Sequence, residues 1–425
     1  MTAGMLIAML VLLGLSVPVG ISVGLAAAVG VYAFTKLPLL IVVQQLFIAV
    51  DKFPLVAVPF FILAGNVMER AGISQRLVDF AKALVGGLRG GLAVTCVLTC
   101  MIFAAISGSS VATTFAIGAI LIPALARHGY PRPHAASLQA VSAELGVIVP
   151  PSIPLILYGV SAEVSIGELF IAGFGPGLLI ASALAATVLI WCRIKGWGAR
   201  DGEDRLPLFT AFRRAFASLM LPVVVLGGIY GGVFTPTEAS VIAVVAALVI
   251  GFVFHRELKL RDLPVIFRKS VISSSVIMFI IAAAGLFSYL ITQAGVPAAL
   301  GRYLADTFSG PWAFLIAVNV VLFVVGMFIE TSASIIVLAP ILAPVAIAFG
   351  IDPVHFGIIM VVNLAMGMFT PPFGVNLFAA SAVARVPLNR MVPYLLPFIG
   401  VVMLCQAVIT YWSPLALTLR DLVYR

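Results

Sequence analysis

The chain has 425 residues, of which 63% are hydrophobic and 9% charged, whereas charged residues approach a quarter of an ordinary soluble domain. Long continuous apolar runs exclude a soluble domain and a transmembrane barrel, which would alternate, and they predict an all-α polytopic membrane protein. The net charge of +8 lies in loops between apolar runs, which is typical of positive-inside topology and not of nucleic-acid binding.

The N-terminal third begins with an apolar run over residues 5–34, which fits either one long span or two short ones hinged near residues 14–20. No lysine or arginine precedes Lys36, and no small-residue cleavage site follows the run, so we expect a retained membrane segment. Residues 35–52 are expected along the membrane interface, 53–69 as the next helix, and 70–90 as a polar connector. The four cysteines lack a CxxC pair and are expected to be core residues.

Residues 91–126 form an apolar run that is split by Ser107-Gly108-Ser109-Ser110. At 1.5 Å per residue each half reaches roughly 25 Å, slightly less than a full crossing. A re-entrant helical hairpin and two complete spans therefore both remain open. After a loop at 127–134 the pattern predicts a broken helix over about 135–160, interrupted at Pro150-Pro151, and then a helix over 168–192.

The second half begins after residues 193–214, a segment with six basic and three acidic residues that we interpret as a cytoplasmic connector. Two short spans are expected within 215–254, a basic loop at 255–269 and a helix at 271–293. A second hairpin is predicted at about 311–349, with its tip near residues 330–332. A broken helix at about 356–384, interrupted at Pro371-Pro372, and a last helix at 391–415 complete the chain.

The two halves form an internal repeat with an offset of 221 residues, without gaps over roughly 70 residues. Ser110 corresponds to Thr331, Gly146 to Gly367, and Pro150-Pro151 to Pro371-Pro372. We therefore divide the chain into a first repeat, 1–192, and a second repeat, 215–425. If both hairpins re-enter and both Pro-Pro segments cross the membrane, the segments 70–90, 127–134, 193–214, 255–269 and 385–390 fall on one side. They hold 19 of the 24 lysines and arginines, so the positive-inside rule makes that side cytoplasmic. The hairpins then enter from opposite sides, as in an inverted-topology repeat.

Helix breaks inside a membrane expose N–H groups that attract anions and carbonyls that attract cations. Hydroxyl and amide side chains surround the four predicted breaks. They are Ser107, Ser109, Ser110, Thr113, Thr114 and Ser152 in the first repeat and Thr331, Ser332, Ser334, Thr370 and Asn376 in the second. This oxygen-only set suits an alkali cation and no transition metal. A single hydroxyl in a membrane helix more often bonds the preceding turn, so the prediction rests on the repeated clusters.

Three carboxylates and four histidines are the other ionisable candidates. Glu330 lies on the second predicted tip, where it could balance the charge of a cation. Glu144 and Glu238 are expected to be structural, with nearby backbone donors. The histidines (His128, His134, His255 and His355) are expected at the surface, in loops. An enzyme is not expected, because there is no G-x-S-x-G elbow, no histidine at membrane depth and no GxxxxGK[ST] phosphate loop.

Five stretches together resemble one transporter family, and they span nearly the whole chain. They are Ala57-Val-Pro-Phe-Phe-Ile-Leu-Ala-Gly65, Ile106-Ser-Gly-Ser-Ser-Val-Ala-Thr113, Gly146-Val-Ile-Val-Pro-Pro-Ser-Ile-Pro154, Gly232-Val-Phe-Thr-Pro-Thr-Glu-Ala239 and Thr370-Pro-Pro-Phe-Gly-Val-Asn-Leu-Phe378. In combination they resemble the DctM-like large membrane subunit of tripartite ATP-independent periplasmic (TRAP) transporters.

The resemblance implies an elevator-type fold of the ion transporter superfamily in the bacterial inner membrane. It implies sodium-coupled uptake of an organic anion, such as a C4-dicarboxylate or a sialic or other sugar acid, delivered by a periplasmic (DctP-like) binding protein. It also implies a small four-helix membrane subunit (DctQ-like), expected here as a separate chain. Na⁺ is the coupling ion, with no other cofactor.

Site residues follow from the clusters and from the resemblance together. The sodium-binding residues are predicted to be Ser107, Gly108, Ser109, Ser110, Pro150, Pro151, Glu330, Thr331, Ser332, Thr370, Pro371 and Gly374. The substrate-binding residues are predicted to be Ser110, Thr113, Ser152, Thr331 and Asn376. A self-contained sodium–dicarboxylate symporter of the same superfamily is the alternative function, and an ion channel is a third.

Overall fold

The computed structural model describes residues 2–198, 205–307 and 310–424, and every regular element in these ranges is a helix. Within them nine helices are long and apolar enough to cross a membrane, or up to ten when the bent pair Arg132–Ile148 and Ile153–Ala162 counts as one span. Large apolar side chains such as Leu10, Ile194 and Leu404 are exposed on the outer surface, where lipid would cover them. The prediction of an all-α polytopic membrane protein is confirmed.

The first half contains eleven helices among the described residues. They are α1 (Thr2–Gly14), α2 (Val19–Phe34), α3 (Leu40–Val50), α4 (Ala57–Arg70), α5 (Ile73–Val85), α6 (Gly91–Ser107), α7 (Ser110–Arg127), α8 (Arg132–Ser142), α9 (Leu145–Ile148), α10 (Ile153–Ala162) and α11 (Ile166–Lys195). A short 3₁₀ turn, Phe53–Val56, leads into α4.

The second half contains ten helices in the part that the structure describes. They are α12 (Leu208–Tyr230), α13 (Pro236–Val249), α14 (Leu263–Gln293), α15 (Val296–Thr307), α16 (Pro311–Phe328), α17 (Thr331–Ala348), α18 (Pro353–Gly367), α19 (Val375–Ala384), α20 (Leu388–Tyr411) and α21 (Pro414–Tyr424). A π-helical turn, Ile250–Phe254, extends α13, and a 3₁₀ turn, Leu260–Asp262, precedes α14.

The N-terminal apolar run is two helices, so the hinged alternative is the right one. Ser16 has φ of +62° and Pro18 precedes α2, and both features interrupt a continuous helix. Two later helices begin earlier than predicted, because polar residues at a helix end continue the helix into water. α12 starts at Leu208 instead of 215, and α14 starts at Leu263 instead of 271. Of the predicted connector 193–214, residues 199–204 lie outside the described residues.

Two short helices near the ends of long spans were not predicted. α15 follows α14 directly, and α21 follows α20, each with apolar residues on one face. α21 packs against α11 and α18, so it continues the folded structure beyond the last span. The composition of these short segments is too mixed to distinguish them from loops in the sequence.

The same order of helices occurs in both halves. α7 and α17 each have 18 residues and begin 221 residues apart, at Ser110 and Thr331. α8 and α18 begin at Arg132 and Pro353, with the same offset. The opposite insertion of the halves and an elevator movement remain predictions.

The hairpins pack across the repeat boundary. α7 packs against α19, which is the second part of the broken helix in the other half, and α17 packs against α10 in the reciprocal way. In a separate group of helices, α2, α3 and α4 pack against α14, and α13 packs against the other side of α4. α14 also contacts α17, so this outer group borders the second hairpin.

Two ion pairs and a hydrogen bond join polar segments that are far apart in the sequence. Arg76 Nη1 lies 2.8 Å from Glu257 Oε1, and His255 Nδ1 lies 2.9 Å from Ala71 O, so segments 70–90 and 255–269 meet. Arg420 on α21 pairs with Asp352 before α18, at 2.7 Å. These contacts link segments that the positive-inside layout assigns to the same side.

The prediction that all histidines lie at the surface is wrong for two of them. His134 and His355 are buried because α8 and α18 start before them and carry them into the core. His355 Nε2 lies 2.8 Å from Ile409 O. His134 packs among aromatic side chains, which include Trp191, Trp197, Tyr394 and Phe398.

Candidate functional site

The first hairpin tip is a sharp turn between two helices. α6 ends at Ser107, and the next residue, Gly108, has a φ of +61° in the left-handed region that favours glycine. Ser109 then caps α7, and its Oγ accepts a hydrogen bond from the N–H of Ala112 at 3.4 Å. The Ser-Gly-Ser sequence therefore ends one helix and starts the next within two residues.

Three oxygens of this tip cluster together. Thr113 Oγ1 donates to Ser109 O at 2.7 Å, and Ser107 Oγ lies 3.1 Å from Thr113 Oγ1 and 3.4 Å from Ser109 O. The three residues are buried or half-buried. Hydroxyl and carbonyl oxygens in such a group are the ligand type that a hard cation takes.

The first broken helix lies directly against this oxygen cluster. A Cβ added to Gly146 would be 2.8 Å from Ser109 O and 2.9 Å from Thr113 Oγ1, so only glycine permits this approach. Ile153 N donates to Gly108 O at 3.4 Å, which joins the residue after the Pro-Pro break to the tip. Hairpin tip and Pro-Pro break therefore meet in the first half.

The second tip is built around a carboxylate. Glu330 caps α17, with Oε2 accepting from the N–H of Ser332 at 2.9 Å and of Ala333 at 3.3 Å. Its Oε1 accepts from Ser332 Oγ at 2.9 Å. Glu330 therefore occupies the capping position that Ser109 holds in the first half, 221 residues earlier, and it brings a negative charge to the N-terminus of α17.

Several buried polar atoms of the hydroxyl and amide residues predicted in the second half have no partner among the described residues. They are Thr331 Oγ1, Ser334 Oγ and both side-chain polar atoms of Asn376, which is fully buried. Buried polar groups are nearly always hydrogen-bonded, because leaving one unpaired is costly. Atoms left open in this way are candidates for contacts with an ion, a substrate or water.

One cavity brings the two tips together. It has a volume of about 590 Å³ and lies between the outer helices α4 and α14 on one side and the hairpin tips on the other. Its lining includes the predicted site residues Ser107, Gly108, Ser109, Ser110, Glu330 and Ser332. The two tips, which are more than two hundred residues apart in the sequence, therefore face the same space.

The other predicted residues do not line this cavity. They are Thr113, Pro150, Pro151, Ser152, Thr331, Thr370, Pro371, Gly374 and Asn376. Ser152 caps α10 and its Oγ donates to Val147 O, and Thr370 Oγ1 donates to Met366 O at 2.8 Å. Those two hydroxyls serve the local backbone. Thr113 lies behind the first tip, in the oxygen cluster.

The cavity is also lined by residues that the sequence did not indicate as site residues. On α4 they are Ile62, Gly65, Asn66 and Glu69, and on α14 they are Lys269, Ser273 and Ile277. Lys269 Nζ lies 2.8 Å from Glu69 Oε2, and Asn66 Nδ2 donates to Ser270 Oγ at 2.8 Å. Lys269, Ser273 and Ile277 are spaced four residues apart, which places them on one helix face. This spacing is the feature of the sequence that could have indicated them as a group.

The remaining carboxylates differ from each other. Glu238 forms a capping box with Thr235, as a structural role requires. Glu144 is fully buried, and neither of its oxygens has a hydrogen-bond partner among the described residues, so the expectation of backbone donors is wrong. The N–H groups at the start of α9 bond backbone carbonyls instead: Gly146 N donates to Ala143 O at 2.9 Å and Val147 N to Glu144 O at 3.0 Å.

A family model described as "Tripartite ATP-independent periplasmic transporter, DctM component" matches residues 6–415. The chain is 41% identical over 377 residues to the C4-dicarboxylate TRAP transporter large permease protein DctM of Pseudomonas aeruginosa, covering 89% of this chain and 88% of that protein. It is 35% identical over 379 residues to the sialic acid TRAP transporter large permease protein SiaM of Vibrio cholerae, covering 89% of each. The YdaH transporter of Alcanivorax borkumensis has a similar fold, with a TM-score of 0.64 at 17% identity over 90% of this chain and 88% of that one.

Proposed function

The chain belongs to the DctM family of tripartite ATP-independent periplasmic transporters, and we propose that it is the large subunit of a sodium-coupled importer of an organic acid. A periplasmic binding protein delivers the acid, and a small membrane subunit completes the transporter in the bacterial inner membrane. The cavity shared by the two hairpin tips is the observation that carries this proposal.

The tips offer an anion two helix N-termini. α7 and α17 both begin at the cavity, and their dipoles favour negative charge there, although Glu330 already accepts from the N–H groups of Ser332 and Ala333 at α17. Each such interaction contributes about 0.3–1 kcal/mol when partly exposed. A carboxylate held there requires positive charge nearby, because Glu330 already places a negative charge at the second tip.

Sodium would supply that positive charge. In the first half the oxygens of Ser107, Ser109 and Thr113 lie within 3.4 Å of each other, behind the tip. In the second half Glu330 corresponds to Ser109, and Ser334, whose hydroxyl has no partner among the described residues, corresponds to Thr113; the open Thr331 hydroxyl follows Glu330 directly. A cation bound behind each tip strengthens anion binding in front of it, and the reverse holds by linkage.

The named relatives support the organic-acid class, since one is named for C4-dicarboxylates and one for sialic acid. Both substrates are carboxylates. A cavity of about 590 Å³ falls within the range of ordinary small-molecule sites, so either size of acid fits by volume. We place the substrate between the tips, against Ser110 and the N-terminus of α17.

The test is uptake into proteoliposomes with radiolabelled succinate and N-acetylneuraminate as probes. The large subunit is reconstituted with its small subunit, the binding protein is added outside, and a sodium gradient is imposed. We expect uptake of one probe only when all three proteins and inward sodium are present. Uptake by the large subunit alone would favour the self-contained symporter, and uptake that ignores sodium would contradict the coupling.

A further inference from the structure

Lys269 is the only lysine or arginine among the described residues that line the cavity. It lies on α14 one turn before Ser273, which lines the same space. Its side chain is 57% exposed and that of Glu69 is 40% exposed, whereas Ser107 and Ser110 at the tip are only 2% and 1% exposed. The ion pair therefore stands at the open end of the cavity, and the tips close the inner end.

The charges of the cavity do not suit an organic anion as they stand. Glu69 and Glu330 bring two negative charges and Lys269 one positive charge. Glu69 is already paired with Lys269, since Glu69 Oε2 lies 2.8 Å from Lys269 Nζ. Because both partners are well exposed, this pair contributes little stability, between 0 and about 1 kcal/mol. A carboxylate from a ligand can replace Glu69 at little cost.

We propose that Lys269 binds a carboxylate of the transported acid at the open end of the cavity, in competition with Glu69. This inference rests on the proposed function and specifies the substrate class: an acid with two anionic groups contacts the tips with one and Lys269 with the other. The outer helix α14 then holds one end of the substrate, and the hairpins hold the other. Glu69 sets how readily Lys269 is released to the ligand.

The neighbouring side chains keep Lys269 where this role requires it. Asn66 Nδ2 donates to Ser270 Oγ at 2.8 Å, which ties α4 to α14 beside the ion pair. Ser270 Oγ itself donates to Ile266 O within α14 at 2.8 Å. The base of the Lys269 side chain is thus fixed between two packed helices, while its ammonium group remains in contact with water.

A cysteine reporter tests the proposal directly. Ser273 is exposed and lines the cavity, whereas the four native cysteines are buried, so Ser273→Cys gives one accessible thiol. The complex of large and small subunits is placed in nanodiscs without binding protein, at saturating sodium, and maleimide labelling is measured against succinate concentration. The half-protecting concentration is compared, because it does not depend on the reactivity of the thiol itself.

In this reporter background Lys269→Gln should raise the half-protecting concentration of succinate about two- to fivefold, which is the change in affinity expected from the loss of one exposed ion pair. Arg268→Gln is the matched control: it removes the same charge one residue away, from an exposed position that does not line the cavity. The half-protecting concentration for Lys269→Arg should remain near the parent value, because the positive charge is kept. Glu69→Gln should lower the half-protecting concentration, since it releases Lys269.

The outcomes separate this inference from the proposed function. If succinate protects the parent reporter but Lys269→Gln behaves like Arg268→Gln, the role of Lys269 is refuted and the transport function stands. If Lys269→Gln weakens protection by butyrate, which has one carboxylate, as much as protection by succinate, two-point binding is wrong. If neither succinate nor N-acetylneuraminate protects the parent reporter, the cavity is not the substrate site and both proposals fall.

Discussion

Replacing Gly146 by alanine should separate the first hairpin tip from the broken helix beneath it. The added Cβ would stand 2.8 Å from Ser109 O and 2.9 Å from Thr113 Oγ1, both closer than ordinary van der Waals contact. The first atom belongs to the backbone and cannot rotate away, and the second is held by its hydrogen bond to the first. Either the tip or α9 must move by several tenths of an ångström.

Forcing a methyl group into a packed interior costs about 1–3 kcal/mol. The atoms that move are two of the three oxygens proposed to bind sodium, so part of this cost should appear as weaker sodium binding. With about half of the cost in sodium binding, the half-saturating sodium concentration for uptake should rise roughly two- to tenfold, since each 1.4 kcal/mol is a factor of ten. Thermal unfolding of the purified subunit should shift to a lower temperature as well.

Gly400→Ala is the control for this experiment. Gly400 lies inside α20, and no atom would meet its added Cβ within 4 Å, so the substitution should be neutral or stabilise the helix by up to about 1 kcal/mol. Sodium titrations of uptake and melting curves are measured on both variants. Equal half-saturating sodium and equal melting temperatures in Gly146→Ala and Gly400→Ala would refute the close contact and the first sodium site.

Two further predictions use groups elsewhere in the fold. Thr331→Val keeps the side-chain shape and removes a hydroxyl that has no partner among the described residues. It should raise the half-saturating sodium concentration severalfold while the melting temperature changes little. A large drop in the melting temperature beside the weaker sodium response would argue for a structural role. Burial alone would raise the pKa of Asp352, but hydrogen bonds from Arg420, His355 N and Val354 N, with the charge of Arg420, hold it below its usual range. The stability from this carboxylate is therefore complete above the ordinary aspartate pKa of about 3.9 and is lost as the pH falls through the lower folded pKa. Melting curves should show a smaller acid-induced loss for Arg420→Gln than for the parent chain, and identical pH profiles would contradict the assignment.

The breaks were predictable because local chemistry determines them. Ser107-Gly108-Ser109 contains a left-handed glycine and a capping serine, and Glu330 is the corresponding cap in the second half, so the hairpin tips lie where the sequence indicates. The residues that line the cavity were harder to predict from the sequence. Lys269 lies in the segment 255–269, for which the sequence predicts a basic loop, and only the packing of α4 beside α14 turns it towards the tips. His134 and Glu144 show the same limit, since their burial depends on which helices cover them.

The exchange of partners between the hairpins and the broken helices affects how the protein is made. α10 emerges from the ribosome early, but the helix that covers it, α17, belongs to the second half, and α7 likewise waits for α19. Until synthesis is nearly finished, these segments pack only against helices of the first half and lack the partner that covers them in the complete fold, and in lipid such interrupted helices cannot satisfy their backbone groups. Final assembly of the site must therefore follow insertion of the whole chain, and separately expressed halves should regain transport only when both are present in one membrane.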